Sequence, residues 1–347
     1  MQGQLTPSFG DYELIDTGDF EKLERFGRYV TRRPEPQAIW RRSLAEEEWR
    51  RMADASFRRD ARSDERGEWR LAPGMPDRWV VEYAYKRMRL RMRLGLTSFK
   101  HVGIFPEQAA NWNFIYDNCR ALASGGAAAM GIAGGKAPDA MPDTTAPAGT
   151  PATTASEGVL SGAAPKGRTA PRKPVTPRVL NLFAYTGGAT LAAANAGASV
   201  CHVDASKGMV QWAGENRKLA GVDETSVRWI VDDALKFVQR EARRGNVYEG
   251  ILMDPPSYGR GPGGEVWKLE NELFGLVEAC EKVLAPDALF MLINSYTTGL
   301  QPAVLNNMLT MTAAKSRAGR VTADEIVLPV TAGGVLPCGA SGRWEGV

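Results

Sequence analysis

The sequence predicts an α/β protein whose parallel sheet has helices on both faces, with a smaller N-terminal region that contains strands. Three observations lead to this prediction. After about residue 179, short apolar runs alternate with segments of helical length, which is typical of βαβ units. Before residue 124, a basic and aromatic region contains a strictly alternating strand pattern. Between them, Ala, Gly, Pro, Thr and Ser dominate.

We therefore expect three parts: an N-terminal region (1–123), a low-complexity linker or insertion (124–178) and a C-terminal domain (179–347). The middle part has no aromatic residue, and such a composition cannot bury enough apolar surface to offset its ordering entropy. Basic residues lie among its last prolines, but a bare spacer is favoured over a nucleic-acid-binding tail.

The composition fits a two-domain globular protein. With 347 residues, 44% hydrophobic and 24% charged, the chain can build a sizeable core. No apolar run approaches the ~18 to 20 residues of a membrane helix, and the acidic N-terminus is unlike a secretory signal. We expect a cytoplasmic protein without membrane contact. The net charge of +3 is too small to identify a partner.

Cysteine and histidine are too sparse for a metal centre. The four cysteines form no CxxC pair, and the two histidines are His101 and His202. This pattern argues against a disulfide framework and a structural zinc site, so we expect no metal. His202 lies inside a predicted strand and should be packed, whereas His101 is the better candidate for contact with substrate.

The N-terminal region carries a strand pattern with one cationic face. Residues 78–85 favour strand, and residues 86–94 alternate basic and apolar side chains. The arginines that share one face at a period of two are Arg87, Arg89, Arg91 and Arg93. Such a face suits RNA phosphates, and a solvated face paired with the acids at 46–48 is an equal alternative. Residues 41–66, rich in Arg and Glu, predict an exposed helix.

The C-terminal domain predicts five buried strands separated by helices. The apolar runs are Val179–Phe183, Ser199–Val203, Val227–Val231, Gly250–Met253 and Ala288–Ile293. The helical segments are Ala189–Ala196, Lys207–Ala220, Ala234–Arg244 and Glu270–Leu284. This alternation implies a parallel sheet, and ligands of such sheets bind at the carboxyl ends of the strands.

Residues suited to ligand binding follow four of these strands. Residues 185–188 supply two glycines for a tight turn close to a ligand. Asp204 follows the second strand and could accept hydrogen bonds from two ribose hydroxyls. One of Asp232–Asp233 could meet an adenine amino group, while the other caps the next helix. The Asp-Pro-Pro motif, residues 254–256, follows the fourth strand.

This order of motifs resembles the class I S-adenosylmethionine-dependent methyltransferases, which have a Rossmann-like sheet. Residues 182–188, the Asp-Pro-Pro motif and the segment 101–108 also resemble the bacterial ribosomal RNA large-subunit methyltransferase group that includes the 5-methylcytosine enzymes. The resemblance covers about residues 94–118 and 179–344. It implies methyltransferase activity with S-adenosyl-L-methionine as the cofactor.

The resemblance also implies which residues bind the cofactor. The glycine turn would line its methionine end, Asp204 would hold the ribose and Asp233 the adenine, and the segment 105–108 would border the same pocket. The implied cofactor-binding residues are Phe105, Gln108, Tyr185, Thr186, Gly187, Asp204, Asp233 and Asp254.

Candidate catalytic residues lie in the segment that begins with the Asp-Pro-Pro motif. Asp254 and the carbonyl of Pro255 could accept hydrogen bonds from the exocyclic amine of a base, while Tyr258 could stack on its ring. A rigid loop without catalytic role is the weaker alternative.

Cysteine usage bears on the chemistry. Methylation of cytosine carbon 5 needs a thiolate that adds to the ring, and related enzymes place this cysteine after the fifth strand, where the chain reads Asn294-Ser295-Tyr296. Cys338 is the one thiol without an obvious core position. We expect direct transfer to nitrogen or oxygen, with Cys338 as a relocated nucleophile being the alternative.

Three functions are left open by the sequence. The leading hypothesis is a methyltransferase that acts on RNA, specifically ribosomal RNA. The second is a methyltransferase for a small molecule or a protein, and the third is a non-catalytic RNA-binding protein that retains the fold. A dehydrogenase is disfavoured because the GxGxxG pattern is missing. The methylated atom and the oligomeric state are not determined.

Overall fold

The N-terminal elements are mainly strands. The computed structural model describes residues 3–60, 66–125, 175–260, 266–297 and 299–347. Up to residue 125, the elements are β1 (Gln4–Leu5), β2 (Tyr12–Gly18), β3 (Glu21–Phe26), β4 (Tyr29–Pro34), α1 (Glu46–Met52), β5 (Ala55–Arg59), β6 (Gly67–Leu71), β7 (Arg78–Tyr85), β8 (Met88–Gly95) and α2 (Ala109–Ala123). Strands β2 to β6 form a five-stranded sheet in chain order, and β7 pairs with β8.

The C-terminal elements alternate as the sequence predicts. They are β9 (Arg178–Leu182), α3 (Gly188–Asn195), β10 (Ser199–Asp204), α4 (Lys207–Leu219), β11 (Val227–Val231), α5 (Ala234–Arg243), β12 (Gly250–Met253), β13 (Tyr258–Arg260), β14 (Val266–Lys268), α6 (Leu269–Glu281), β15 (Phe290–Ser295), α7 (Pro302–Met311), α8 (Ala313–Ser316), β16 (Gly319–Pro329) and β17 (Val335–Gly346). The fifth strand lies two residues later than predicted, and the final hairpin β16–β17 was not predicted.

The main sheet has eight strands in the order β1-β16-β17-β15-β12-β9-β10-β11. Strands β9, β10, β11, β12 and β15 run parallel, while β17 is antiparallel to both β15 and β16. The chain leaves β9 toward β10 and later returns to β12 on the other side. The strand order therefore reverses at β9, where ligands of such sheets bind.

Both faces of the main sheet are buried, which confirms the predicted three-layer arrangement. Along β9, Val179 packs with α2 and α3, whereas the next residue, Leu180, packs with α5, α6 and α7. Val200 and Cys201 divide in the same way on β10. Because successive side chains of a strand point to opposite faces, each apolar run supplies both layers of the core.

The prediction of an exposed helix over residues 41–66 is wrong for most of its length. Helix α1 covers only seven residues and buries Trp49, and the chain then forms β5, which pairs with β4 and β6. Ala55 and Phe57 alternate inward along β5, so a period of two replaces the helical one. Residues 61–65 lie outside the described part.

The arginine-rich strand is confirmed, with one correction. Strands β7 and β8 form a hairpin whose turn contains Lys86 and Arg87, so Arg87 is not on the strand. Buried apolar residues alternate along β8 with Arg89, Arg91 and Arg93. The predicted pairing with residues 46–48 is wrong. The acids beside the arginines come instead from β7 and α4, because the hairpin register and the packing of β8 bring those elements next to the arginines.

Glu82 lies across the hairpin from Arg91, with charged atoms 3.8 Å from both Arg89 and Arg91. Arg93 makes a 3.0 Å ion pair with Glu215. Glu46 binds Arg32 and Arg50 near the N-terminal sheet.

The N-terminal region is joined to the C-terminal sheet at several places. Strand β1 extends the main sheet by pairing with β16, and α2 packs on α3. Of the predicted linker, residues 126–174 lie outside the described part. Among the residues that are described, no helix is both long and apolar enough to span a membrane.

Candidate functional site

A pocket opens where the strand order reverses, at the carboxyl ends of β9 and β12. Its walls come from α2, the segment before it, the turn after β9, and the end of β15. Its lining includes Phe105, Gln108, Asn111, Tyr185, Thr186, Gly187, Asp254 and Asn294. The pocket therefore contains six of the residues that the sequence predicts for the site.

The turn after β9 has an unusual backbone. Phe183 and Tyr185 have φ angles of 54° and 49°, in the left-handed region that non-glycine residues rarely occupy and that concentrates at functional sites. The Asp204 carboxylate holds this turn by accepting hydrogen bonds from the Tyr185 and Ser206 amides, both at 2.8 Å. Burial raises the pKa of Asp204 above its ordinary value, although both bonds oppose this shift.

Two glycines allow close approach at this turn. Gly187 begins α3 with a φ of 92°, which a side chain rarely adopts. A Cβ atom on Gly188 would lie 2.9 Å from the Trp112 ring. The glycine pair is thus required by both the turn and the packing of α2, which the sequence alone does not reveal.

The segment before α2 borders the pocket, as the sequence predicts. The Phe105 ring lies 5.4 Å from the Tyr185 ring and 5.9 Å from the Tyr296 ring. The Thr186 hydroxyl donates a 2.7 Å hydrogen bond to the Gly103 carbonyl. These contacts connect the N-terminal segment directly to the glycine turn.

Asp254 faces the pocket with one carboxylate oxygen unsatisfied. Its Oδ2 atom accepts a 3.5 Å hydrogen bond from the Tyr296 hydroxyl, while its Oδ1 atom is shielded from solvent and has no hydrogen-bond partner. Burial raises the pKa of Asp254 to about 6, while the nearby Asn294 amide and the Tyr296 hydroxyl act to lower it. A buried acceptor without a donor destabilises the folded protein. Such an atom is expected where a ligand supplies the missing donor.

Polar side chains from distant parts of the chain meet behind Asp254. Gln108 donates to the Tyr296 hydroxyl at 2.7 Å and accepts from Asn111 at 2.7 Å and Asn294 at 3.0 Å. Arg343 donates to Asn111 at 2.9 Å. Sequence reasoning missed Asn111 and Arg343, which have no local signal, and it quoted Asn294 and Tyr296 only for the absence of cysteine.

The remaining predicted residues do not line this pocket. Asp233 accepts a hydrogen bond from the Lys236 amide and caps α5, while Asp232 binds Arg240. Tyr258 is 52% exposed at the start of β13, and Pro255 is buried. The cap predicted for one of the two acids is thus made by Asp233.

The predicted core positions of His202 and three of the cysteines are confirmed, while His101 and Cys338 are not fully buried. His202 is buried and bonded to Thr190 at 2.9 Å, and burial lowers its pKa to about 3, so the ring is neutral. His101 lies beside the pocket, 5.2 Å from the Phe105 ring. The cysteines with buried core positions are Cys119, Cys201 and Cys280. Cys338 is half-buried, and its thiol donates to the Leu336 carbonyl.

Comparison with known proteins places this chain among methyltransferases. The model of the S-adenosylmethionine-dependent methyltransferase family matches residues 166–311. A relative from Neisseria meningitidis serogroup B, named ribosomal RNA large subunit methyltransferase K, is 30% identical over 42% of this chain and 39% of its own length. A K/L methyltransferase from Shewanella frigidimarina is 33% identical over 34% of this chain and 16% of its own length. The chain thus spans well under half of these relatives.

Solved structures also match over nearly the whole chain. A putative methyltransferase from Streptococcus mutans superposes with a TM-score of 0.61 at 13% identity, covering 98% of this chain and 76% of that one, which shows the fold alone. The SAM-dependent methyltransferase from Agrobacterium tumefaciens has a TM-score of 0.77 and covers 98% of this chain. Its 33% identity extends over 92% of its own length, so the present chain belongs to the S-adenosylmethionine-dependent methyltransferases.

Proposed function

We propose that this methyltransferase acts on RNA, specifically ribosomal RNA, and transfers the methyl group directly to an exocyclic amine of a base. The observation that carries the proposal is the unpartnered Oδ1 atom of Asp254 in the pocket. An ionised carboxylate only accepts hydrogen bonds, so it matches an N–H donor. The names of the partial relatives support ribosomal RNA as the substrate class.

The cofactor would lie along the carboxyl edge of the sheet. Because the strand order there is β11-β10-β9-β12, Asp233, Asp204, Tyr185 and Asp254 follow adjacent strands in that order. An extended ligand along this edge would place its adenine at Asp233, its ribose at Asp204 and its methionine end at the glycine turn. Asp233 would then serve both as the cap of α5 and as the acceptor for the adenine amine. Phe105, Gln108 and Thr186 would complete the pocket wall. The bound cofactor supplies an electrophilic methyl group.

The protein contributes mainly position and hydrogen bonding. Asp254 Oδ1 and the Pro255 carbonyl would orient the amine so that its lone pair faces the methyl group. Tyr258, exposed on the adjoining strand, would stack on the base. The Pro256 carbonyl accepts a 2.7 Å hydrogen bond from Trp267, which holds the loop in place.

Cationic groups on the β7–β8 hairpin support an RNA substrate. Arg89 and Arg91 are exposed, and their 3.8 Å separations from the shared Glu82 are too long for strong pairing. Val80 lies opposite Arg93 in the hairpin and also lines a groove with Arg28, Tyr29 and Trp79. The arginine face therefore continues into a groove that offers aromatic rings and a further guanidinium, as single-stranded RNA requires.

Changing Arg87, Arg89 and Arg91 to Gln is expected to weaken RNA binding and flatten its salt dependence. Each lost phosphate contact lowers the slope of log affinity against log salt by about 0.7 for a single strand. Arg93 stays unchanged because it is ion-paired and packs on Trp212. Filter binding over a range of salt concentrations measures the slope.

The matched control changes three exposed arginines elsewhere, Arg50, Arg51 and Arg58, to Gln. It removes equal charge from α1 and β5, so a local contact site predicts a much smaller change in slope. If both triple variants and the wild type have the same slope of log affinity against log salt, the arginines of the hairpin do not contact RNA and are only solvated.

Cys338→Ser is expected to leave turnover within a few-fold of wild type. Burial, aided by the charge of Glu107, raises the pKa of the Cys338 thiol well above its ordinary value, and a protonated thiol is a poor nucleophile. RNA containing 5-fluorocytosine should form no covalent adduct with the wild-type protein, as judged by denaturing electrophoresis. A stable adduct that Cys338→Ser abolishes would instead indicate cytosine carbon 5 as the target.

The substrate class is tested by labelled methyl transfer to RNA, protein and metabolite fractions from cells that lack the protein. We expect label in ribosomal RNA, at a base nitrogen. Label only in protein or metabolites would favour the second hypothesis, and no transfer despite cofactor binding would favour a binding protein. A cytoplasmic location and the three-part division of the chain are part of this proposal.

A further inference from the structure

A continuous chain of hydrogen bonds runs from the C-terminal hairpin to Asp254. Arg343 on β17 donates to Asn111 Oδ1 at 2.9 Å, and Asn111 Nδ2 donates to Gln108 Oε1 at 2.7 Å. Gln108 Nε2 donates to the Tyr296 hydroxyl at 2.7 Å, and that hydroxyl donates to Asp254 Oδ2 at 3.5 Å. Every donor in this chain points toward Asp254.

The direction of the chain follows from its first member. A guanidinium has only donors, so Asn111 must turn its oxygen toward Arg343 and its nitrogen toward Gln108. Gln108 must then present its oxygen to Asn111 and its nitrogen to Tyr296. Because the Tyr296 oxygen receives that bond, its own proton is free for Asp254.

The members of this chain are held firmly. Burial lowers the pKa of Arg343 to about 10, so it is charged at neutral pH, and its guanidinium stacks over Phe114 at 4.7 Å. Asn111 and Gln108 are buried. Burial, with the charges of Asp254 and Glu107, raises the pKa of Tyr296 well above its ordinary value, which keeps the phenol protonated as a donor.

We propose that Tyr296 is a positioning residue at the end of this one-way relay, which orients the Asp254 carboxylate and stabilises its ionised form with Oδ1 toward the substrate. The inference rests on the proposed function, since the ionised carboxylate is the form that accepts hydrogen bonds at both oxygens and suits an amine donor. The relay begins at the charged guanidinium of Arg343, which lies more than two hundred positions along the chain from its partner Asn111. Polarised chains of this kind strengthen each bond in them.

The relay opposes the effect of burial on Asp254. Burial alone disfavours the charged carboxylate, whereas the nearby Asn294 amide and the Tyr296 hydroxyl favour it, so the pKa of Asp254 reaches only about 6. The other titratable groups nearby are Tyr185 on the pocket wall and Glu107, which acts on Tyr296. Loss of the relay should therefore raise the pKa of Asp254 and leave about half of the carboxyl protonated near pH 7.

The test is a carbon-13 NMR titration of the Asp254 carboxyl in the free protein, with the signal assigned by its loss in Asp254→Asn. We expect Tyr296→Phe to raise the titration midpoint by about one pH unit, the usual scale for one hydrogen bond to a charged group. Arg343→Met should raise the midpoint by a smaller amount, whereas Arg343→Lys, which keeps the positive charge, should have the wild-type midpoint.

Tyr248→Phe is the matched control. Tyr248 is also a buried tyrosine that donates to a carboxylate, Glu241, at 2.7 Å, but it packs in the opposite core layer with α5 and α6. The titration midpoint of Asp254 in Tyr248→Phe should equal that in the wild type. An unchanged midpoint in Tyr296→Phe would overturn the relay, and if that variant does not fold, an unchanged midpoint in Arg343→Met would do so.

Activity supplies a second readout. The acid limb of the turnover profile should follow the NMR midpoint in each variant. Tyr296→Phe should therefore lose about half of its activity at pH 7 and regain nearly all of it at pH 9. Absence of RNA methylation by the wild type would contradict the proposed function but leave the NMR shift intact. The two failures are thus distinguishable.

Discussion

Turnover of the Asp254→Ala variant is expected to fall about 100- to 1,000-fold, the loss found when one preorganised hydrogen bond to a developing charge is removed. Methyl transfer leaves positive charge on the amine nitrogen, and the carboxylate beside it stabilises that charge more in the transition state than in the ground state. Single-turnover rates with labelled cofactor measure the effect at saturating RNA.

Cofactor affinity should change less than turnover in this variant, because the proposed role of Asp254 is mainly toward the amine. The control is Asp223→Ala, which removes an exposed carboxylate bonded to Thr225 and should leave turnover unchanged. If a folded Asp254→Ala variant methylates RNA at nearly the wild-type rate, Asp254 does not hold the substrate amine.

Asp204→Ala is expected to weaken cofactor binding by about 1 to 3 kcal/mol, the cost of leaving buried hydrogen-bonding groups unmatched. In fold-change this is roughly 5- to 150-fold. Two effects act together: the ribose hydroxyls lose their acceptor, and the Tyr185 amide loses the 2.8 Å bond that holds the turn. Titration calorimetry with S-adenosylmethionine measures the change.

The matched control for Asp204 lies at the opposite end of the strands of the same sheet, where their amino ends meet. Glu249 accepts a 2.6 Å hydrogen bond from the Arg178 amide at the amino end of β9, so Glu249→Ala also removes a carboxylate from a backbone amide. We expect wild-type affinity for that variant. Unaltered affinity in a folded Asp204→Ala variant would remove Asp204 from the cofactor site.

Most of the fold was predictable from the sequence because it depends on local patterns. Apolar runs of strand length alternate with helical segments after residue 179, and all five predicted strands are present. Two of them have the predicted bounds, and the boundaries of the other three differ by one or two residues. Residues 41–66 were mistaken for helix because charge density alone does not distinguish an exposed helix from a half-exposed strand such as β5.

The site was predictable only in part. Motifs that directly follow strands, such as the turn at 183–188 and Asp254, can be placed at one edge because parallel strands share a carboxyl side. The unpartnered Oδ1 atom of Asp254 and the two left-handed residues of the turn are visible only in three dimensions. Neither property can be predicted from the spacing of residues in the sequence.

The sequence by itself determined the class of fold, the order of the ligand-facing motifs and the alternating basic face of β8. Those features follow from periodicity and from residue types at strand ends, which are local. The tertiary structure decided which acids lie beside the arginines, and it brought Gln108, Tyr296 and Arg343 together behind Asp254. Hydrogen bonds between distant positions depend on strand order and packing, because only a folded sheet makes such residues neighbours.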